Sequence, residues 1–242
     1  GSEMCIRDRV RAKVKGTKVK IRLGASSGEW KAMVADEAAR TTFAKNIKTV
    51  LEKNKLDGID LDFEWAENEK EYEDYSLAIL KMREMLGDKY LFSVSLHPVC
   101  YKISKEAIEA VDFISLQCYG PSPVRFPIEK YCSDIQMVLE YGIPKEKLVA
   151  GVPFYGVTKD NSKKTEAYFN FVQNGLVTSP AQNEVIYQGD TYVFDGQDNI
   201  RIKTRYAKEQ KLKGMMSWDL ATDLPLSDSR SLLKTMTEEL RE

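Results

Sequence analysis

The eight residues Asp57-Gly-Ile-Asp-Leu-Asp-Phe-Glu64 alternate acidic and apolar side chains over most of their length. This two-residue period predicts a β-strand over residues 59–63. On a strand, Asp60, Asp62 and Glu64 point to one face at a spacing of about 7 Å, and the apolar side chains point to the other. Helix-like patterns flank the strand on both sides. We therefore expect a parallel sheet with both faces covered, in which the carboxylates face an interior.

We call Asp60, Asp62 and Glu64 the acid row. Like charges that are buried together force some of the carboxyls to keep their protons, and a carboxyl that stays protonated near neutral pH can act as a general acid. Glu64 is the best candidate because it lies at the C-terminal end of the strand, where barrel active sites are found. Two alternatives stay open: an exposed edge strand with a polar face, and a metal site, since hard cations bind carboxylate oxygens.

Strand-like and helix-like patterns alternate along the rest of the chain. They predict an α/β fold with a parallel sheet and helices outside it, and they leave open whether the sheet is doubly wound or closed into a barrel. We count about six strand–helix units, where a (β/α)8 barrel has eight. Strands are predicted over residues 19–23, 59–63, 91–96, 113–116, 148–152 and 215–218, a hairpin over 185–194, and helices over 36–54, 71–86, 107–111, 128–141, 167–172, 202–212 and 232–240.

The composition is that of one domain with a sizeable core. The chain has 242 residues, 43% of them hydrophobic, and a net charge of −1, so we predict a single domain over residues 1–242 with a poorly defined leader over residues 1–16. Basic residues are in excess only between Arg7 and Lys20, which argues against nucleic-acid binding. No apolar run approaches the roughly 18 residues of a membrane span, no signal peptide is visible, and no GxGxxG or Walker pattern follows a strand. We predict no cofactor.

Cysteine and histidine are too few and too scattered to suggest a zinc site. The cysteines form no CxxC pair, and His97 is the only histidine. We therefore predict no bound metal, mostly free thiols and a structural role for His97. The four cysteines are Cys5, Cys100, Cys118 and Cys132.

Asp57-x-x-Asp60-x-Asp62-x-Glu64 resembles the signature of family 18 glycoside hydrolases, the chitinases and endo-β-N-acetylglucosaminidases. Further segments agree in order and spacing, from about Lys18 to Asp223. They are residues 18–27 (KVKIRLGASS), similar to the family's KVLLSIGG strand, residues 113–120 (FISLQCYG), similar to MxYD, residues 147–156 (KLVAGVPFYG), similar to LGxPFYG, and residues 214–219 (GMMSWD), similar to the last strand with its tryptophan.

The resemblance implies a TIM barrel and a retaining, substrate-assisted mechanism. The substrate would be a β-1,4-linked N-acetylglucosamine glycan such as chitin, a chitooligosaccharide or a related glycan. Glu64 would protonate the leaving oxygen while the acetamido oxygen of the substrate attacks the anomeric carbon. Asp62 would orient the acetamido N–H, Asp60 would hold Asp62 and tune the proton count, and Tyr119 would hydrogen-bond the acetamido oxygen.

The resemblance also implies substrate-binding residues, each with an alternative. Trp218 would form the floor of a sugar subsite, because an indole face suits the apolar face of a pyranose, but Trp218 and Tyr119 could also be ordinary core residues. Gln117 could bind sugar or be a packing variant. Trp30 could line the cleft, although loop packing is favoured. Asp57 is favoured as a residue that orders the loop before the strand. The candidate binding residues are Trp218, Gln117, Tyr155 and Asp57.

The sequence departs from the family pattern in two places. The family has two more strand–helix units before its KVLLSIGG strand, and only residues 1–16 precede that strand here. We therefore expect a barrel that lacks its first two units: an open barrel, a weakly active protein, or one completed by self-association. The α+β insertion, residues 158–213, is short, which predicts a shallow groove suited to soluble or short chains.

Three rival functions remain. A chitinase-like lectin would share the fold without catalysis, a peptidoglycan or spore-wall hydrolase would act on a different polymer, and a metal-dependent barrel enzyme would use the acids as ligands. We expect a protein that is secreted, on the cell surface or in the periplasm.

Overall fold

The computed structural model describes residues 12–26 and 28–241, so residues 1–11 of the predicted leader, with Cys5, lie outside the described part of the chain. Residues 12–14 form a helical turn. The chain divides into two compact units. The N-terminal unit comprises Gly1–Val94 and Ile103–Asp112, and the C-terminal unit comprises Ser95–Lys102 and Phe113–Glu242. The prediction of a single domain stays a prediction.

The N-terminal unit contains parallel strands hydrogen-bonded in the order β1-β2-β3. In the register of the first pair, Gly24 lies opposite Asp60. A helix of six residues that was not predicted, α1, follows β1. The elements are β1 (Arg22–Ala25), α1 (Trp30–Ala35), α2 (Glu37–Asn54), β2 (Gly58–Asp62), α3 (Glu69–Leu86), the first four residues of β3 (Leu91–Leu96) and α4 (Lys105–Ala110).

The two long helices of this unit begin at residues with the expected capping chemistry. The Asp36 carboxylate accepts a hydrogen bond from the backbone N–H of Ala39 at the start of α2, and the Asn68 amide oxygen does the same for Glu71 in α3. Gly87, with a φ of 58°, ends α3. Both predicted helices are thus confirmed to within two residues.

The apolar face of β2 packs against helices, as the alternating pattern predicts. Ile59, Leu61 and Phe63 are at most 1% exposed. The ring of Phe63 stacks on Trp30 of α1, with centroids 5.4 Å apart, and lies 5.3 Å from Tyr75 of α3. The opposite face of the strand, which carries Asp60 and Asp62, is therefore the one that can carry chemistry.

The C-terminal unit contains the end of β3 and a parallel group in the order β4-β5-β10. Its helix α5 ends at Gly142, which has a φ of 114°. The elements are β4 (Phe113–Leu116), α5 (Ile128–Tyr141), β5 (Leu148–Pro153), β6 (Tyr155–Thr158), β7 (Thr165–Ala167), α6 (Tyr168–Gln173), β8 (Glu184–Tyr187), β9 (Asp190–Val193), α7 (Gln197–Glu209), β10 (Gly214–Trp218) and α8 (Leu232–Arg241).

The insertion forms most of a second, antiparallel sheet in the order β7-β6-β9-β8. The predicted hairpin is confirmed as β8 and β9, joined through Gln188 and Gly189, both with positive φ. Strands β6 and β7, which are four and three residues long, were not predicted. Helix α7 begins five residues before the predicted start, since its first turn is polar and shows no apolar period until Ile200.

Two of the predicted free thiols are observed. Cys118 and Cys132 form no disulfide within the described residues, and burial raises the pKa of the Cys118 thiol. Among the described helices, none is long and apolar enough to cross a membrane.

Candidate active site

The acid row emerges from the C-terminal end of β2. The strand ends at Asp62, so Glu64 lies two residues beyond it in the loop that leads to α3. Asp60 and Asp62 are half-buried, whereas Glu64 is exposed. The prediction that all three carboxylates face an interior is therefore wrong for Glu64, because the pleated strand that would bury it has already ended.

Asp60 is held by a serine and an arginine from the two neighbouring strands. The Ser93 hydroxyl donates to Asp60 Oδ1 and in turn accepts from Arg22 Nη1. The Arg22 guanidinium also lies 3.4 Å from the same carboxylate oxygen. Arg22 was not among the predicted site residues, although the sequence contains a signal: Arg22 stands where the KVLLSIGG pattern has serine.

Asp57 lies at the other end of β2, roughly 20 Å from Glu64 by the rise of an extended strand. Its carboxylate accepts from the Ile21 N–H at 2.7 Å, its own N–H donates to the Ile21 carbonyl at 2.8 Å, and its carbonyl accepts from the Leu91 N–H at 2.9 Å. Asp57 thus connects the beginnings of three strands. This geometry supports the loop-ordering interpretation, and we do not retain Asp57 as a substrate-binding candidate.

Trp30 packs against Phe63, on the apolar side of the segment that carries the acid row. Its indole is 1% exposed and therefore does not line a cleft. It packs as expected, but from helix α1 rather than from a loop. Its Nε1–H donates to the backbone carbonyl of Glu64 at 2.9 Å, a contact that the sequence analysis did not anticipate.

The second group of candidate residues belongs to the C-terminal unit. Tyr119 follows β4 and is 7% exposed, with its hydroxyl 3.5 Å from Met216 Sδ. Its ring meets that of Tyr155 edge to face at 6.4 Å. The Tyr155 hydroxyl donates to the Gly120 carbonyl at 3.3 Å. The structure therefore brings these two predicted tyrosines together.

His97 supports Tyr119 from behind. Its Nδ1 accepts from the Val99 N–H at 3.2 Å, so the proton of the neutral ring is on Nε2, which lies 3.0 Å from the Tyr119 carbonyl and donates to it. Burial of the ring, aided by the positive charge of Arg125, lowers the pKa of His97 from 6.5 to about 4. A neutral imidazole with a hydrogen bond at each ring nitrogen fits the predicted structural role.

The remaining candidates differ in exposure. Trp218 ends β10 and is 54% exposed, which leaves its indole face open to a ligand. Gln117 is 7% exposed, and its backbone N–H donates to the Leu96 carbonyl at 2.8 Å. Trp65, which was not among the predicted site residues, follows Glu64 and is 38% exposed. The peptide bonds Glu64–Trp65 and Trp218–Asp219 are cis.

Parallel strands with outer helices, and acids at the C-terminal end of a strand, define the class: an α/β protein of the TIM-barrel type. The family profile described as glycosyl hydrolases family 18 matches residues 4–223. The chain therefore belongs to glycosyl hydrolase family 18.

Known relatives are similar at low identity. "Probable chitinase 2" of Drosophila melanogaster is 24% identical over 261 residues, which cover 81% of this chain and 54% of that protein. The chain spans about half the length of the curated relatives it matches, from 39% to 65% for three of them.

Solved structures share the fold. A chitinase from Bacteroides thetaiotaomicron superposes with a TM-score of 0.84 at 21% identity, covering 97% of this chain and 80% of that one. A chitinase-like agglutinin from Robinia pseudoacacia gives a TM-score of 0.77 at 18% identity, covering 95% and 83% of the two chains. The fold thus occurs in proteins named as enzymes and in one named as an agglutinin.

Proposed function

We propose that this chain hydrolyses β-1,4 N-acetylglucosaminide linkages with Glu64 as the general acid. The observation that carries the proposal is the position of Glu64, exposed just beyond the C-terminal end of β2, with the half-buried Asp62 and Asp60 preceding it on the strand. A general acid must reach the leaving oxygen of a substrate, and the exposure of Glu64 permits this. The family and the relatives named as chitinases support the substrate class.

In the proposed mechanism the protein supplies no nucleophile. Glu64 gives its proton to the leaving oxygen, and the acetamido oxygen of the substrate attacks the anomeric carbon. Asp62 orients the acetamido N–H and stabilises the positive charge that develops. Asp60 holds Asp62, and the Ser93–Arg22 network fixes Asp60 in turn.

Four residues of the C-terminal unit take the proposed binding roles. The Tyr119 hydroxyl hydrogen-bonds the acetamido oxygen, and the exposed indole of Trp218 stacks on a sugar ring. Tyr155 and Gln117 are secondary candidates, because Tyr155 contacts Tyr119 and Gln117 is almost fully buried. The short insertion favours soluble or short chains over crystalline polymer, and such a substrate fits a secreted or cell-surface protein.

Turnover of a fluorogenic N-acetylchitobioside tests the role of the acid. We expect Glu64→Gln to lower kcat by at least about 100-fold, since general acid catalysis contributes that much or more. Glu69→Gln is the matched control, because Glu69 is also an exposed glutamate, in the first turn of α3, and it should keep the wild-type rate. Equal rates for wild type and Glu64→Gln would refute the assignment.

A second candidate is a carbohydrate-binding protein with weak or no turnover. The similarity to an agglutinin favours it, as does the arginine that stands in place of serine beside Asp60. Calorimetric binding of chitotetraose without release of any product would support this alternative. Product release that depends on Glu64 would exclude it.

A further inference from the structure

Two consecutive residues of helix α1 hold the loop that carries Glu64. Trp30 Nε1–H donates to the Glu64 carbonyl at 2.9 Å. Lys31 Nζ lies 3.0 Å from a carboxylate oxygen of Glu67 and 2.9 Å from one of Glu71. Helix α1 therefore contacts both ends of the segment from Glu64 to Glu67.

The indole of Trp30 is a rigid donor. It is 1% exposed and stacks on Phe63 at an interplanar angle of 8°, with Tyr75 tilted against it at 5.4 Å. A buried indole N–H requires an acceptor, and the Glu64 carbonyl is that acceptor. Phe63 and Tyr75 hold the ring in place. The hydrogen bond from this fixed ring therefore restrains the position of the Glu64 backbone.

The Lys31 side of the contact is weaker. Lys31 lowers the pKa of Glu71 mainly through their hydrogen bond, and the Glu71 carboxylate also accepts from the Glu67 N–H at 2.8 Å. These groups are at the surface, where solvent and salt screen ion pairs. The buried hydrogen bond of Trp30 is therefore the contact that can locate the acid.

We propose that Trp30 is a positioning residue for Glu64, which acts through the hydrogen bond from its indole N–H to the Glu64 carbonyl. The inference rests on the proposed function of Glu64 as general acid. A displacement of about 1 Å in a reacting group can lower a rate by about 100-fold. Loss of the N–H therefore lowers kcat, whereas substrate affinity, which does not depend on the proton donor, changes little.

Two substitutions of Trp30 separate donation from packing. 3-Benzothienylalanine keeps the shape and stacking of the indole but has sulfur in place of the N–H, and Trp30→Phe removes the donor with part of the ring. The matched control is Tyr75→Phe, which removes a hydroxyl that donates to the Leu61 carbonyl of the same strand at 3.4 Å. We expect kcat to fall by about 10- to 100-fold in both Trp30 variants, with KM within about 2-fold, and Tyr75→Phe to keep the wild-type kcat.

The outcomes separate this inference from the proposed function. A benzothienylalanine variant with wild-type kcat, beside an inactive Glu64→Gln, overturns the positioning role alone. A Glu64→Gln variant with full activity overturns the proposed function. Exchange of the Trp30 indole proton, followed by NMR on the wild-type protein, tests the hydrogen bond without any assay of turnover: slow exchange is expected, and exchange as fast as that of an exposed indole overturns the inference.

Discussion

At the scale of single residues, the acid row has a cation beside it. The Arg22 guanidinium reaches both Ser93 and Asp60, with side chains that are 27% exposed for Arg22 and 17% for Asp60. A positive charge in such a half-buried place offsets the repulsion between neighbouring carboxylates. Arg22 is therefore part of the environment that a mechanism for this chain must include.

His97 gives the molecule a defined dependence on pH. Its pKa is about 4 in the folded protein, against 6.5 for an unburied ring, so the folded state disfavours the charged ring. The resulting stabilisation is complete above pH 6.5 and is lost as the pH falls toward 4. At about 1.4 kcal/mol per pKa unit, the loss is about 3 kcal/mol. Protonation of Nδ1 also removes the acceptor for the Val99 N–H.

We expect the free energy of unfolding of His97→Gln to depend less on pH than that of the wild type between pH 6.5 and about 4. The measurement is urea unfolding of wild type and variant at several pH values between about 4 and 7, the range over which the ring titrates. Because His97 is the only histidine in the sequence, the difference between the two curves isolates its contribution. Parallel curves over that range would contradict the expectation.

At the scale of elements, the strands around Tyr119 approach closely at one glycine. A Cβ on Gly151 of β5 would lie 2.7 Å from the Leu116 carbonyl oxygen, 2.9 Å from Tyr119 Cε1 and 3.0 Å from Met216 Cε. The first neighbour is backbone and cannot move without disturbing the strand pair. The absence of a side chain at Gly151 thus sets the position of the Tyr119 ring.

Gly151→Ala should displace Tyr119 and lower activity. We expect a fall of about 10-fold or more in kcat on the fluorogenic N-acetylchitobioside, with a loss of about 1–3 kcal/mol in the free energy of unfolding from overpacking. Gly214→Ala is the control, because a Cβ at Gly214 of β10 meets no atom within 4 Å among the described residues. Equal effects of the two substitutions would argue against a special role for Gly151.

At the scale of the whole molecule, the C-terminal unit contains a fully buried ion pair. Lys203 Nζ lies 2.6 Å from the Asp195 carboxylate, and both side chains are 0% exposed. The ammonium also lies 5.3 Å from the centre of the Tyr131 ring. An unpaired charge at such a site is strongly unfavourable, whereas the complete pair is tolerated.

Lys203→Met should therefore lower the free energy of unfolding by about 3–5 kcal/mol, since it leaves Asp195 buried without its partner. Lys159→Met, which breaks the exposed pair with Glu184, should cost less than about 1 kcal/mol. The double variant Asp195→Leu with Lys203→Met should recover much of the loss. Urea unfolding of the wild type, the two single variants and the double variant checks this, and a small effect of Lys203→Met alone would be the contrary result.

Self-association of the chain stays a prediction.

Much of the architecture follows from local sequence. The alternation in Asp57–Glu64 predicts β2 and its two faces, and the apolar spacing typical of a helix predicts the helices on either side. Such features depend on residues a few positions apart, so they can be predicted from the sequence. The placement of Asp60 and Asp62 on one face of β2 is of this kind, because it follows from a two-residue period alone.

The surroundings of the acids could not be predicted from local sequence. The contact of Trp30 with Glu64 joins residues 34 positions apart, and that of Arg22 with Ser93 joins residues 71 apart. The exposure of Glu64 depends on where β2 ends, and the low pKa of His97 depends on the burial of its ring. The α/β alternation and the two faces of β2 follow from local periodicity, which can be predicted from the sequence. The residues that hold and surround the acids are known only from the folded structure, because hydrogen bonds and burial between distant segments arise when the chain packs.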